Sequence, residues 1–170
     1  DADLNHAVNL VVQGGFGLSG QACTGTSRVL VHKKIKTAFT EKLLDKVQAL
    51  TLGPGLENAD LGPIATESQL QSILSYIEIG KQEATLLCGG ERPQGEVFDQ
   101  GFYVQPTVFT DVTQEMRIAR EEIFGPVIAL IEIESYEDAL NKANDTEYGL
   151  SASIVTKNAE YAHRFINDIE

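Results

Sequence analysis

One cysteine lies in a stretch of small and polar residues whose types suit nucleophilic chemistry. Cys23 stands inside "GFGLSGQACTGTSR", residues 15 to 28, with Gly20, Thr24, Gly25 and Ser27 close to it. Glycines let the backbone approach a reacting carbonyl, and hydroxyl and backbone N–H groups can stabilise a thiolate or an oxyanion. Loops also contain cysteines without any role. This stretch alone therefore leaves both a nucleophile and an ordinary loop cysteine open.

A histidine partner would turn Cys23 into the nucleophile of a hydrolase or acyltransferase. The chain has three histidines, and the pattern puts His6 in the first helix, His32 at the end of a strand and His163 in the last helix. Each is explained there as a surface or boundary residue, so we disfavour this class. Neither Cys23 nor Cys88 belongs to a Cys/His spacing that binds metal, and we predict no metal site.

A second candidate motif is "EEIFGPV", residues 121 to 127. It predicts a turn into a strand, with Phe124 at the mouth of the strand. Such a place suits a polar group and a flat apolar wall for a planar ligand. Alternatively, Glu121 and Glu122 are a solvated pair of charges and Phe124 is a core residue. The motif alone does not separate these interpretations.

Composition excludes several classes of function. The chain has 25 acidic against 13 Lys and Arg residues, a net charge of −12 and no Trp, which disfavours nucleic acid and anionic membrane surfaces as partners. No stretch is long and apolar enough for a membrane span. We read both cysteines as reduced thiols of a cytoplasmic protein. There is no Gly-x-Gly-x-x-Gly or Walker-type motif, so another domain would have to hold most of any dinucleotide.

Strand and helix patterns alternate along the 170 residues, which fit one domain. Predicted helices cover about 4–14, 36–50, 67–83 and 136–144, with a last one from Asn158. Strands are predicted in "SRVLVHKKI", in "ATLLCGG" with Cys88 packed in the core, in "GFYVQPTVFTDV", after "EEIFG" and in "SASIVT". Pro106 should confine its strand to an edge or divide it. The expected fold class is α/β, with a mainly parallel, helix-covered sheet and Cys23 between a helix and a strand.

Several blocks together resemble the NAD(P)-dependent aldehyde dehydrogenase superfamily. "FGLSGQACTGTSR" is similar to the active-site cysteine signature of that family, with Phe16, Gly20, Gln21, Cys23 and Gly25 at the matching positions. "GFYVQPTVFTDV", "AREEIFGPV" and "NDTEYGLSAS" then follow in the family's order, with "GPIATESQLQSILSYIEIGKQEATLLCGG" between them. The resemblance covers the whole chain.

The resemblance implies roles for four residues. Cys23 would be the nucleophile, forming a thiohemiacetal whose oxyanion is held partly by its own N–H, and then, after hydride transfer to the nicotinamide, a thioester. Glu122 would bind the hydroxyls of the nicotinamide ribose, Phe124 would pack beside the nicotinamide, and Gln69 would lie near the same ribose. The implied cofactor is NAD or NADP, the partner a small aldehyde, and the assembly a homodimer or homotetramer.

Three family features do not occur in this sequence: a Glu-Leu-Gly-Gly motif with the general base, the asparagine of the oxyanion hole and the Rossmann-type cofactor domain. We therefore expect residues 1–170 to be part of the catalytic, cysteine-bearing domain, truncated at both ends and without the cofactor-binding domain. The isolated chain should then be inactive. The alternative is a non-catalytic interaction or structural domain that retains the family scaffold.

Overall fold

Four strands form one sheet at the centre of the fold, in the order β1-β4-β3-β2. They are β1 (Arg28–His32), β2 (Thr85–Cys88), β3 (Thr107–Val112) and β4 (Val127–Ile133). Strand β4 runs parallel to both β1 and β3, whereas β2 is antiparallel to β3. The structure, a computed structural model, describes residues 1–170 and confirms the predicted α/β class with a mainly parallel sheet.

Seven helices accompany the sheet, and none is long and apolar enough to cross a bilayer. They are α1 (Leu4–Phe16), α2 (Lys36–Gln48), α3 (Glu67–Glu83), α4 (Glu96–Asp99), α5 (Arg117–Arg120), α6 (Tyr136–Asn144) and α7 (Ala159–Asp168). Side-chain oxygens of Asp3, Thr66, Ser135 and Asn158 cap α1, α3, α6 and α7, as helix-start chemistry predicts. Helices α3 and α6 have the predicted bounds.

The two faces of the sheet are buried in separate apolar clusters. Along β4, Val127, Ala129 and Ile131 belong to the cluster that includes residues of α3 and α5. The alternate residues Ile128 and Leu130 belong to the cluster that includes residues of α1 and α2. Because side chains alternate across a strand, β4 is buried on both faces, as is usual for parallel sheets. Because the helices pack on the sheet, the loops that connect a helix to a strand are fixed at both ends.

The strand predicted at "SASIVT" does not form: residues 151–156 have no regular secondary structure, and Ser151, Ala152 and Ser153 are exposed. An extended segment becomes a strand only when a neighbouring strand accepts its backbone hydrogen bonds, and in this chain no strand lies beside it. The strand prediction from the β-rich composition is therefore wrong for this sheet.

The prediction for Pro106 is wrong as well. Strand β3 is neither divided nor at an edge; it lies between β4 and β2. Pro106 directly precedes its first residue, so the missing N–H falls outside the ladder, and the Thr107 N–H donates to the Pro126 carbonyl at 2.8 Å. The edge strands are β1 and β2, and Cys88 at the end of β2 is half-buried, packed against one apolar cluster.

Candidate functional site

Cys23 lies at the exposed tip of the connection between α1 and β1, where the sequence predicts it. The Gly25 N–H donates to the Ala22 carbonyl at 2.9 Å, which closes a turn with Cys23 and Thr24 at its centre. The Thr26 N–H donates to the Gly14 carbonyl at 2.9 Å and ties the end of the loop to α1. The thiol therefore stands on a turn that is fixed at both sides.

The three residues before Gln21 have left-handed backbone conformations. Their φ angles are 52° at Leu18, 56° at Ser19 and 68° at Gly20. For residues with a Cβ this region is unfavourable by roughly 1–2 kcal/mol each, and such strain occurs preferentially at functional sites. The Ser19 hydroxyl, which is buried, donates to the Gly62 carbonyl at 2.9 Å and helps to hold this conformation.

Gln21 joins the cysteine loop to residues 61–65. Its Oε1 accepts a hydrogen bond from the Ala65 N–H at 2.8 Å, and its Nε2 lies 3.3 Å from the carbonyl oxygens of Leu18 and Pro63. A cleft of about 500 Å³ opens between these two loops. The matching glutamine of the family signature therefore serves here as a tie between loops.

Helix α3 holds the turn of residues 121–126 with three side chains of one helical face. Gln69 Nε2 donates to the carbonyl oxygens of Ile123 and Phe124. One turn further along α3, Ile73 packs so closely on Gly125 that a Cβ there would lie 2.5 Å from its Cδ1. The Tyr76 hydroxyl then donates to Glu121 Oε2 at 2.7 Å. Spacings of four and three residues put these side chains on one face.

The two adjacent glutamates have different environments. Arg117 donates to both oxygens of Glu121, at 2.7 and 2.8 Å. Together with the Tyr76 hydroxyl, this pairing lowers the pKa of Glu121 to about 2. Glu122 is exposed, and its carboxylate has neither an ion-pair partner nor a hydrogen-bond donor in the chain. Glu121 therefore fixes the turn, and Glu122 is free to bind something else.

Phe124 is not a core residue. Its side chain is 37% exposed, and its backbone φ of 54° lies in the left-handed region. The next residues, Gly125 and Pro126, contact the backbone of Gly20 directly. The cysteine loop and the turn that presents Glu122 and Phe124 are therefore neighbours in the fold. The structure therefore does not fit the alternative interpretation, in which Glu121 and Glu122 are a solvated pair of charges and Phe124 is a core residue.

The remaining titratable candidates lie elsewhere. His32 Nδ1 accepts the Lys34 N–H at 3.1 Å, while His6 and His163 are exposed on α1 and α7. None of the three is hydrogen-bonded to Cys23. Burial raises the pKa of the Cys88 thiol, which disfavours its thiolate form.

Sequence reasoning identified Cys23, Glu122, Phe124 and Gln69 as candidates, and the structure places all four on loops and a helix end that contact one another through the links described above. It missed the supporting role of Tyr76 and Arg117. The i,i+4 spacing of Arg117 and Glu121 was a readable signal. The contact of Tyr76 with Glu121 was not, because it depends on how α3 packs on the turn.

Comparison with known proteins gives the family. Residues 1–170 match the aldehyde dehydrogenase family. The chain is 52% identical over 172 residues to the alpha-ketoglutaric semialdehyde dehydrogenase of Bacillus subtilis, and this alignment covers 100% of the chain and 35% of the relative. It is 48% identical over 165 residues to the alpha-ketoglutarate semialdehyde dehydrogenase of Haloferax volcanii, and this alignment covers 96% of the chain and 34% of the relative.

A solved structure agrees with these relatives. The betaine aldehyde dehydrogenase of Staphylococcus aureus, in complex with NAD+, superposes with a TM-score of 0.97 at 36% identity, over 99% of this chain and 34% of that one. The chain thus spans about a third of the length of the relatives it matches. The match over its full length and the agreement of fold lead to one conclusion: this chain belongs to the aldehyde dehydrogenase family.

Proposed function

We propose that this chain supplies the thiol nucleophile and the nicotinamide-side contacts of an enzyme that oxidises a small aldehyde to a carboxylic acid with NAD or NADP. The observation that carries the proposal is the packing of the Cys23 loop against the turn with the unpartnered Glu122 and the exposed Phe124. The names of the relatives, which are semialdehyde and betaine aldehyde dehydrogenases, point to the same reaction class.

Cys23 has the surroundings that covalent catalysis needs. The residue is exposed, which gives an aldehyde access to the loop, and attack by the thiolate would form an S–C bond while the carbonyl oxygen becomes an oxyanion. The Cys23 N–H donates no backbone hydrogen bond within the chain and is available to that oxyanion. Loss of hydride from the carbon then leaves a thioester, and water cleaves it to the acid and the free thiol.

The residues of the turn fit the nicotinamide half of a dinucleotide. The Glu122 carboxylate can accept hydrogen bonds from ribose hydroxyls, and the Phe124 ring offers an apolar wall. The amide nitrogen of Gln69 is engaged by the turn, so its Oε1 is the atom left to accept a hydrogen bond from a ligand. The bound NAD or NADP would accept the hydride from the substrate carbon.

The other parts of such an enzyme are not in this sequence. It contains no Glu-Leu-Gly-Gly motif and no glycine-rich phosphate cradle, so we propose that residues 1–170 are a piece of the catalytic domain and are inactive alone. By resemblance the enzyme would be a homodimer or homotetramer. Both cysteines are free thiols, and we place the enzyme in the cytoplasm, which keeps thiols reduced.

A chimaera tests this proposal. Residues 1–170 would replace the matching third of the Bacillus subtilis relative, and NADH or NADPH formation would be followed with α-ketoglutarate semialdehyde. We expect oxidation that Cys23→Ala reduces by about 10³-fold or more and that the control Cys88→Ala retains. A folded chimaera without activity would favour the interaction or structural domain instead. Strong NADH formation by residues 1–170 alone would contradict the inactivity of the isolated chain.

A further inference from the structure

The side-chain amide of Gln69 donates two hydrogen bonds to the turn that carries Glu122 and Phe124. Its Nε2 lies 3.0 Å from the Ile123 carbonyl oxygen and 3.2 Å from the Phe124 carbonyl oxygen. Both partners are acceptors only, so the opposite orientation of the amide would place an oxygen against two oxygens. A carboxamide has two N–H donors, and only Oε1 is left for any ligand.

The two carbonyls that Gln69 binds flank the left-handed residue of the turn. One belongs to the peptide before Phe124 and the other to the peptide after it, so together they fix the orientation of both peptide planes. Phe124 has a φ of 54°, a conformation that a residue with a Cβ does not adopt without support. The direction in which the Phe124 ring and the neighbouring Glu122 carboxylate point depends on this conformation.

Gln69 is itself held firmly enough to do this. It lies in the first turn of α3, and its N–H donates to the hydroxyl oxygen of the N-cap Thr66 at 3.2 Å. The same helix holds Glu121 through Tyr76 and packs Ile73 on Gly125. Gln69 therefore binds the turn from helix α3, at Phe124, the residue of the turn whose backbone conformation is unfavourable.

We propose that Gln69 is a positioning residue: its amide nitrogen sets the conformation of Phe124 and thereby the direction of Glu122 and the aromatic ring. Its role in cofactor affinity rests on the proposed function, since it acts through groups assigned there to the nicotinamide ribose and ring. A direct contact of Oε1 with the ribose would be secondary to this role.

The first test uses the 170-residue chain and does not require activity. In ¹⁵N-labelled protein, the Gln69 side-chain amide protons should exchange with water at least about tenfold more slowly than those of Gln71. Gln71 is the matched control because it is exposed on the same helix and makes no side-chain hydrogen bond in the chain. Gln69→Glu should shift the backbone amide signals of residues 123–125, and Gln71→Glu should not. Equal exchange of the two side chains would overturn the proposal, whatever the enzyme does.

The second test uses the chimaera and separates positioning from ribose contact. Gln69→Glu keeps an oxygen that can accept from a ribose hydroxyl but loses both donors to the turn. We expect the KM for NAD to rise by roughly tenfold or more, because two hydrogen bonds are lost and a carboxylate faces two carbonyls. The KM of the Gln69→Glu chimaera for the aldehyde should stay within about twofold of the unsubstituted value. In the Gln71→Glu chimaera, the KM values for NAD and for the aldehyde should both stay within about twofold. An unchanged KM for NAD in Gln69→Glu would overturn the role in cofactor affinity. If the unsubstituted chimaera is inactive, the proposed function fails, and the exchange measurement still decides the role of Gln69 in the turn.

Discussion

Gly20 stands against Gly125 with no room for a side chain between them. A Cβ on Gly20 would lie 2.1 Å from the Gly125 carbonyl oxygen and 2.6 Å from the Pro126 nitrogen. These residues are far apart in sequence, and their contact is what brings the loop of Cys23 to the turn of Glu122. Glycine is required at position 20 for space and also for its φ of 68°.

Gly20→Ala should therefore destabilise the protein by at least about 2 kcal/mol, since the left-handed conformation and the backbone clash both oppose a Cβ. The free energy of unfolding from urea titration measures this. Gly17→Ala is the matched control, because a Cβ there meets nothing within 4 Å and its φ is −54°. It should change the free energy of unfolding by less than about 0.5 kcal/mol. Equal effects of the two substitutions would contradict the close contact.

Arg117 and Tyr76 both donate hydrogen bonds to the Glu121 carboxylate, and we call this set of contacts the Glu121 clamp. The clamp predicts a pH dependence of stability. The pKa of this carboxyl in the folded protein is lowered to about 2 by Arg117 and Tyr76, so the unfolded state binds the proton first as pH falls. The stabilisation is complete above the ordinary glutamate pKa of about 4.3 and is lost as pH falls from there to about 2. Glu121→Gln and Arg117→Met should each flatten the pH profile of the unfolding free energy in this window, measured by urea titration. A profile of Glu121→Gln parallel to that of the unsubstituted protein would disprove the clamp.

The sequence predicts the elements of the fold well where local chemistry decides them. The approximate bounds predicted for α3 and α6 agree with the structure, in which the side chains of Thr66 and Ser135 cap the two helices. The errors at Pro106 and at "SASIVT" have another origin. Whether an extended segment is central, at an edge or unpaired depends on which strands lie beside it, and that information is not local.

The residues of the candidate site could be selected from the sequence, but the contacts that support them could not. The residue types around Cys23 and in "EEIFGPV", together with the family resemblance, predict the groups that would react or bind, and these roles stay predictions. The contacts that hold them in place, such as Gln21 with Ala65 and Tyr76 with Glu121, join positions more than forty residues apart. Only the packing of α3 and the loop 61–65 on the two motifs reveals those pairs.

Removal of the α3 cap should loosen the helix end that presents Gln69. The Thr66 hydroxyl oxygen accepts the Gln69 N–H, so Thr66→Ala should lower the free energy of unfolding by about 1 kcal/mol. Thermal or urea unfolding followed by circular dichroism measures the change. Ser75→Ala, at an exposed position of the same helix, removes a hydroxyl without a cap and should be neutral or slightly stabilising. A Thr66→Ala variant as stable as Ser75→Ala would show that the cap contributes nothing.

The two thiols should differ sharply in reactivity. Cys23 is exposed at the tip of its loop, whereas Cys88 is half-buried and burial raises the pKa of its thiol. Because the thiolate is the attacking species, iodoacetamide at pH 8 should alkylate Cys23 at least about tenfold faster than Cys88 in the folded chain. Peptide mass spectrometry over a time course measures both rates in one sample. In denaturing urea the two rates should converge, which attributes the difference to the fold, and Cys88→Ser should leave the Cys23 rate unchanged. Equal or reversed rates in the folded protein would count against Cys23 as the nucleophile.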